Sequence, residues 1–322
     1  MRHIFYQIAI HAPGLRLALA FLCLVLARLL AAEELVPADK VDLHSRALTA
    51  VSLVASEDTA AQSSNLPHNL TQRNSMIIGT GAALVATYGS YNWWRSGFGG
   101  GFDTANEGWF GAGTNYGGAD KLGHLYSNYA GVRLLTPLFE SVGNGRNASV
   151  SLAAWSTLGI YTAVEIVDGY SRTWKFSPQD AIANAAGAAL GVAIETRPEL
   201  DAIFDFRIDY RRSPRSSSFD PFGDYSEQRY LFVAKGDGFA PLRNNKYLRY
   251  FEVAFGYGTR GYDTGGARSR DAYLGLSLNL ARLLADGAYD DRMHTTSFQR
   301  GTDRLFELVQ LPSIAYTRKK LD

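Results

Sequence analysis

The first half of the chain contains long apolar stretches. Four of them, each about 13 to 18 residues long and mostly rich in alanine and glycine, cover residues 76–88, 122–138, 150–167 and 181–194. Stretches of this length and composition predict helices rather than strands. Charges are rare around them, since only 16 of the 127 residues from 72 to 198 are Asp, Glu, Lys or Arg. We therefore predict an apolar bundle of about four helices, together with a Gly- and aromatic-rich loop, over residues 72–198.

In the second half of the chain, apolar residues recur at every second position. Apolar residues alternate with polar or small ones in 204–210, 251–257 and 272–280, and a short β-rich run covers 230–234. A period of two predicts strands with one apolar face, and residues 312–316 are the candidate for a fifth strand. Four or five strands are too few to close a membrane barrel of about eight or more. We expect an antiparallel β region over 199–322 that packs on the helices or is completed by other chains, so the predicted fold class is α+β.

The N-terminal segment is predicted to direct export. Residues 17–30 are apolar except for Arg28, and small residues follow at Ala31 and Ala32, where a signal peptidase would cut. Cys23 follows Leu22 instead of the small residue of a lipoprotein signal, so we predict plain cleavage of a signal peptide, residues 1–32. An uncleaved N-terminal anchor is the alternative. Residues 33–71 are predicted to form an N-terminal helix and a polar linker.

Composition excludes some classes of protein. The 322-residue chain has 32 basic and 31 acidic residues, and removal of residues 1–32 takes away three arginines and leaves a charge of 29 − 31 = −2. Neither value gives the basic excess typical of nucleic-acid binding, so no nucleic-acid partner is expected. Cys23 is the single cysteine, which excludes an internal disulfide framework and any multi-cysteine metal site.

The apolar helices suit two environments. A helix that spans a bilayer needs roughly 20 apolar residues, and the four stretches are at or below that length, so buried core helices compete with membrane-embedded ones. Residues 89–118 add 10 glycines and eight aromatic side chains. This composition is typical of a membrane–water interface and also of an aromatic loop packed over a core. Membrane lipid is therefore an expected partner.

Polar residues inside the apolar block are the candidate site. Asp120 and His124 are spaced i, i+4 and share a helix face, while Glu165 and Asp168 are spaced i, i+3 near the end of the third stretch. Ionised carboxylates in an apolar bundle need to pair with one another or face water. The unperturbed pKa of histidine, about 6.5, suits proton transfer. We predict that these four residues form a site in which His124 is an acid–base group or a metal ligand.

The start of the fourth helix predicts a structural role for Asp180. Ser177 at the N-cap, Pro178 at the first helical position and Asp180 at the third resemble a capping box. Asn184 continues the helix face of Asp180. Small residues suited to close helix contact follow at Ala183, Gly187 and Gly191.

The other candidate residues also have a structural alternative. Lys121 can form an ion pair with Glu165 or Asp168, Asp120 can simply begin its helix, and His124 can be a hydrogen-bonded core residue. We assign structural or secondary roles to Lys121, Asp180 and Asn184. The motifs GxSxG, HExxH and CxxC are absent from the sequence, and it identifies neither a metal nor a cofactor.

The sequence around His124 resembles a known family. Residues 117–124, Gly-Gly-Ala-Asp-Lys-Leu-Gly-His, followed by Tyr126, Tyr129 and Arg133, look like the signature of the YfiM-like family of predicted periplasmic lipoproteins (domain of unknown function 2279). Residues 107–110 and 177–191 are similar to its other blocks. A more distant likeness is to VanZ-like membrane proteins, which share a D-K-x-x-H helix and a later D-x-x-x-N-x-x-G helix. The resemblance implies a periplasmic protein and brings no established reaction.

Two functions of different classes follow. The first is a non-enzymatic cell-envelope protein whose helical bundle lies in or against a membrane and whose β region is a scaffold or a surface for an envelope protein or a second copy. The alternative is a membrane-associated enzyme that acts on lipid or envelope glycan through His124, Asp120 and Glu165 or Asp168. Both are exported, with the periplasm or outer membrane favoured and the inner membrane as the alternative location. The sequence does not decide between enzyme and scaffold.

Overall fold

Helices precede strands along the chain, which confirms the α+β class. The computed structural model describes residues 69–210, 222–262, 266–311 and 315–321. The predicted signal peptide and nearly all of the predicted N-terminal helix and linker lie outside these residues. The long helices are α1 (Leu70–Asn92), α2 (Ala119–Ser141), α3 (Arg146–Tyr170) and α4 (Pro178–Thr196), and a short α5 (Pro198–Ile203) leads into the sheet.

Local sequence sets the helix ends. Asn69 and Gln72 cap α1 reciprocally, since each side-chain oxygen accepts a hydrogen bond from the other residue's backbone N–H. Ser177 Oγ accepts a hydrogen bond from Asp180 N at 3.3 Å at the start of α4, where Pro178 is the first helical residue. The four predicted stretches lie inside helices of 23, 23, 25 and 19 residues.

Close contact between α2 and α4 organises the bundle. A Cβ on Gly187 of α4 would lie 2.0 Å from the carbonyl oxygen of Leu125 in α2, and one on Gly191 would lie 2.7 Å from Val132 Cβ. The predicted stripe of small residues is therefore confirmed as a helix–helix contact. The core that these helices and α3 share contains Val132, Leu135, Phe139, Ala153 and Ala188.

α3 combines length with an apolar composition. It is the one helix in the described part of the chain that is long and apolar enough to cross a membrane, by length and composition alone. Of its most apolar 18 residues, 33% are buried inside the fold. Trp155 on its outer side is 73% exposed. Core helices of soluble proteins are usually mostly buried, so the outer side of α3 is a surface that needs an explanation.

The C-terminal region contains one antiparallel sheet whose strands follow chain order. The strands are β1 (Phe204–Tyr210), β2 (Gln228–Lys235), β3 (Phe251–Arg260), β4 (Ser269–Leu278) and β5 (Ala315–Lys320). The predicted third alternating segment extends past the end of β4, because Leu280 begins a helix. β5 includes the last two residues of the predicted fifth strand and continues to Lys320, while residues 312–314 lie outside the described residues. Three helices that the period of two did not predict interrupt the strands: α6 (Ala240–Arg243), α7 (Leu280–Ala288) and α8 (Ser297–Leu308).

The sheet buries its polar face. Arg207 of β1 is buried and contacts both carboxylate oxygens of Glu252 in β3, at 2.7 and 2.8 Å, and it also pairs with Asp205. Tyr316 of β5 lies 3.4 Å from the carboxylate of Asp209 in β1, so side chains of the two edge strands meet. The sheet is thus curled with its charged face inside, which buried charges tolerate when they are paired.

The apolar face of the sheet is covered only in part. Tyr126 and Tyr129 of α2 pack on Phe206, with ring centroids 5.7 Å apart in both pairs, and Tyr126 also contacts Tyr230. Several other apolar side chains of this face are exposed by 41–60%: Phe204, Phe232, Phe251, Val253, Phe255, Leu274 and Leu276. The predicted packing of the sheet on the helices is therefore present at one end of the sheet.

An ion network joins the bundle to the C-terminal region. Arg133 of α2 is fully buried, and its guanidinium lies 2.9 Å from Glu195, 2.6 Å from Asp201 and 2.6 Å from Glu307. Glu195 ends α4, Asp201 lies in α5 and Glu307 in α8, so one buried cation holds four helices together. A guanidinium suits this place because it presents several donors and stays charged when buried.

Candidate functional site

A tight glycine turn places the first candidate side chains. Gly117 and Gly118 have φ of 63° and 90°, which favours glycine. A Cβ on Gly118 would also lie 2.5 Å from the ring of Phe110. The turn starts α2 so that Asp120, Lys121 and His124 occupy its first two turns, on the side that faces α3 and α4.

Three carboxylates surround the ammonium of Lys121. Its Nζ lies 2.7 Å from Asp120 and 2.8 Å from Asp180, and it also pairs with Glu107 from the loop before α2. Burial alone lowers the pKa of Lys121, but Asp120 and Asp180 outweigh it and raise that pKa well above its usual value. Lys121 is therefore a permanent cation. The predicted pairing of Lys121 with Glu165 or Asp168 is wrong. Its ammonium pairs with Glu107, Asp120 and Asp180 instead.

His124 lies at the junction of α2, α3 and α4. Its Nδ1 is 3.3 Å from Glu165 Oε1 and 3.1 Å from Asn184 Oδ1, and its Nε2 is 3.9 Å from Asp180 Oδ1. Asn128 holds Asn184 in place through a 2.6 Å hydrogen bond to the same Oδ1. Burial lowers the pKa of His124, but the charges of Asp180 and Glu165 outweigh that effect and raise it above its usual value.

Glu165 and Asp168 are acids that are hard to ionise. Burial raises the pKa of Glu165 to about 7, against the attraction of His124. Burial also raises the pKa of Asp168 to about 6, against a 2.6 Å hydrogen bond from Trp94 Nε1. Glu165 Oε2 accepts a 3.4 Å hydrogen bond from Ser177 N, so Glu165 completes the cap that the sequence assigned to Asp180. Near neutral pH both carboxyl groups can exchange a proton with a bound molecule.

Asp180 combines a structural and an electrostatic role. Its backbone N–H satisfies the cap of α4, while its side chain lies between Lys121 and His124. Burial raises the pKa of Asp180, but His124 and Lys121 outweigh it and hold that pKa below its usual value. Asp180 therefore stays ionised and supplies the fixed negative charge between the two cationic groups.

These groups line one pocket. Its volume is about 120 Å³, and Asp120, His124, Glu165, Asp168 and Asp180 all face it. Aromatic side chains form much of the remaining wall: Trp93, Tyr116, Tyr161, Trp174, Phe222 and Tyr225. A cavity of this size admits a few waters or one functional group of a larger molecule. Proton transfer at one end of such a molecule is chemistry that the pocket can perform.

Two groups of side chains in the described ranges have the chemistry of metal ligands. One consists of Glu107, Asp120 and Asp180, and the other of His124, Glu165 and Asp180. In the first group the ammonium of Lys121 already lies among the three carboxylates. In the second group the ammonium of Lys121 contacts Asp180 alone, at 2.8 Å.

The structure brings together all seven residues that the sequence singled out. Asp120, Asp168 and Lys121 are neighbours of the His124–Glu165 contact rather than members of it, and the catalytic roles stay predictions. Sequence reasoning missed the part of Glu107 as a partner of Lys121 and of Trp94 as a donor to Asp168. The family resemblance already included Glu107, whereas nothing in the sequence pattern distinguishes Trp94 from the other aromatic residues of its loop.

The comparisons with known proteins concern the part of the chain that carries this pocket. No curated protein matches the chain, and no solved structure does. The likeness to VanZ-like membrane proteins thus finds no support. Residues 106–196 match a family model described as predicted periplasmic lipoprotein (DUF2279). This span includes α2, α3, α4 and Glu107, and its description supports an exported, periplasmic protein.

Proposed function

We propose that the protein is an envelope enzyme whose His124–Glu165 pair transfers protons to and from a lipid or envelope glycan. One observation carries the proposal: a histidine nitrogen lies 3.3 Å from a buried carboxyl group whose pKa is raised to about 7, and both groups line a pocket of about 120 Å³. A general acid or base works best when its pKa lies near the working pH. Asn184 orients the imidazole, and Asp180 favours its protonated form.

The wall of the pocket supports a substrate that is only partly polar. Aromatic rings such as Trp93 and Trp174 stack on sugar rings or contact acyl chains, while the carboxylates contact hydroxyl groups. The small volume restricts the pocket to the reacting end of a larger molecule. Hydrolysis or group transfer at that end is the reaction class that these residues suit.

The test compares variants in a strain from which the gene has been deleted. Wild type and His124→Gln are restored at equal protein levels, and the membrane lipids and envelope glycans are profiled by mass spectrometry. We expect one class of molecule to accumulate without the gene, to disappear with wild type and to persist with His124→Gln. His294→Gln is the matched control, because His294 contacts Asp303 at 3.2 Å outside the pocket. Profiles that His124→Gln restores as fully as wild type would overturn the proposal.

A second function, a membrane-associated scaffold, is favoured by the uncovered apolar face of the sheet. Phe255 and Leu274 are 60% and 55% exposed there. The adjoining segment 236–250 carries three basic residues against one acid, with exposed Phe239 and Tyr247. Aromatic and basic side chains beside an apolar surface match the interfacial and anionic headgroup layers of a bilayer. We propose that this face contacts membrane lipid, whether or not the pocket is catalytic.

Flotation with vesicles tests the membrane contact. Wild type is expected to float with vesicles that contain anionic lipid, and Phe255→Ser with Leu274→Ser should remain at the bottom of the gradient. Since both side chains are exposed, the double variant should keep its circular dichroism spectrum. Trp155→Ser on α3 shows whether the helical bundle also contributes. If the double variant floats like wild type, a partner protein or a second copy becomes the better occupant of this face.

A further inference from the structure

The second group of possible ligands has the geometry of a metal site. One ring nitrogen of His124 and one carboxylate oxygen each from Glu165 and Asp180 lie within 4.8 Å of one another. Metal–ligand bonds of about 2.0–2.2 Å place two ligands of one ion about 3–4 Å apart. The separation of 3.3 Å between His124 Nδ1 and Glu165 Oε1 falls in that range.

The charges of the pocket leave room for a divalent cation. Five carboxyl groups converge there: Glu107, Asp120, Glu165, Asp168 and Asp180. The ammonium of Lys121 contacts three of them and leaves Glu165 and Asp168 with the imidazole of His124 and the indole N–H of Trp94. Buried acids in excess of buried bases are compensated either by protons or by a metal ion.

An unsatisfied atom points at the proposed ion position. Glu165 is 1% exposed, and its Oε1 accepts no hydrogen bond while it faces His124 Nδ1. Asn184 Oδ1 lies 3.1 Å from the same nitrogen, so three groups with lone pairs converge when that nitrogen carries no proton. An acceptor buried without a donor is costly, and a cation between these atoms would remove that cost.

We propose that His124, Glu165 and Asp180 bind one divalent transition-metal ion of the Zn²⁺ class. A mixed set of imidazole and carboxylate ligands fits Zn²⁺ better than Mg²⁺ or Ca²⁺, which favour oxygen ligands alone. Asp180 Oδ1 also contacts Lys121 at 2.8 Å, so the ammonium orients this ligand from the opposite side. When bound, such an ion occupies the imidazole and carboxylate that transfer protons in its absence, and it supplies Lewis-acid chemistry beside the aromatic wall in place of that role.

Metal binding to the purified full chain tests the proposal. After treatment with a chelator, the protein is titrated with Zn²⁺ and, separately, with Co²⁺, whose visible absorption reports its ligands. We expect one ion per chain, and we expect Glu165→Gln and His124→Gln each to weaken binding more than about 100-fold, since outer-shell changes alone cost about 10–100-fold. His294→Gln should bind like wild type, because its partner Asp303 lies outside the pocket.

The outcomes separate this proposal from the proposed function, which uses the same pocket. No bound ion, or equal binding by wild type and Glu165→Gln, would overturn the metal site and leave the proton-transfer proposal standing. If wild type binds Zn²⁺ to saturation but His124→Gln restores the lipid and glycan profiles as fully as wild type, the proposed function alone would be overturned. Circular dichroism of each variant shows whether a loss of metal binding comes from unfolding. If His124→Gln does not fold, the metal binding of Glu165→Gln decides the test.

Discussion

The contact between α2 and α4 makes a quantitative prediction for Gly187→Ala. The added Cβ would lie 2.0 Å from Leu125 O and 2.8 Å from Leu125 C, all backbone of a packed helix. Ordinary contact needs about 3.4 Å, so the helices must separate by more than 1 Å. Overpacking of this kind costs about 1–3 kcal/mol. We expect a cost at the upper end of that range, because the atoms that must move belong to the helix backbone. Alanine regains about 0.5–1 kcal/mol of helix propensity, which leaves a net loss of about 2 kcal/mol.

A glycine in open space provides the matched control. Nothing lies within 4 Å of the Cβ position at Gly159 in α3, so Gly159→Ala should stabilise the protein by about 0.5–1 kcal/mol through propensity alone. Urea unfolding followed by circular dichroism measures both changes in one buffer. Equal stabilities for the two variants would refute the close-contact argument. A Gly187→Ala protein should also bind metal more weakly, since Asn184 lies one turn away and contacts His124.

Two further variants test buried charge. Because burial raises the pKa of Glu165 from 4.5 to about 7, the unfolded chain loses this proton at lower pH than the folded one, and wild-type stability falls as pH rises through that window. Glu165→Gln removes this dependence, so its stability should rise relative to wild type by up to about 3 kcal/mol between pH 4 and pH 8. Urea midpoints measure both proteins. A stability difference that does not change with pH would contradict the raised pKa of Glu165. Arg133→Met removes one of the two guanidinium groups that contact both Glu195 and Glu307, the other being that of Arg304. It should cost up to about 3–5 kcal/mol, whereas Arg133→Lys should cost less. Unchanged thermal unfolding of Arg133→Met would show that the network is dispensable.

The helical half was readily predicted because its signals are local. Apolar stretches of helical length, the Ser177-Pro178 start of α4 and the Gly187 stripe each follow from a few adjacent residues. The meeting of His124 with Glu165 was anticipated only as a possibility, because spacing along one helix says nothing about which face its neighbour presents. Lys121 shows the limit: its partner Glu107 comes from an irregular loop whose path the sequence pattern does not describe.

The strands of the sheet were predicted from the sequence, but which face of the sheet is buried was not. Alternation of Phe204 to Tyr210 with Asp205, Arg207 and Asp209 gives the two faces but not which one is inside. Burial of the charged face depends on Arg207 reaching Glu252 two strands away, a long-range pairing with no local signal. The helix α7 was missed because its short amphipathic segment follows immediately on the alternating residues of β4.

The charged interior of the sheet also fixes the alignment of its strands. In most sheets a buried hydrophobic face selects one register, and a slip by one residue exposes it. Here a one-residue slip of β3 would point Val253 or Phe251 toward Arg207 and turn Glu252 outward beside Leu274 and Leu276 of β4. The slipped hairpin would take Glu252 away from the buried guanidinium of Arg207 and leave Asp205 as its carboxylate partner, which is costly for a buried charge network. Mispairing during folding is therefore opposed by electrostatics, even while the outer face is still uncovered.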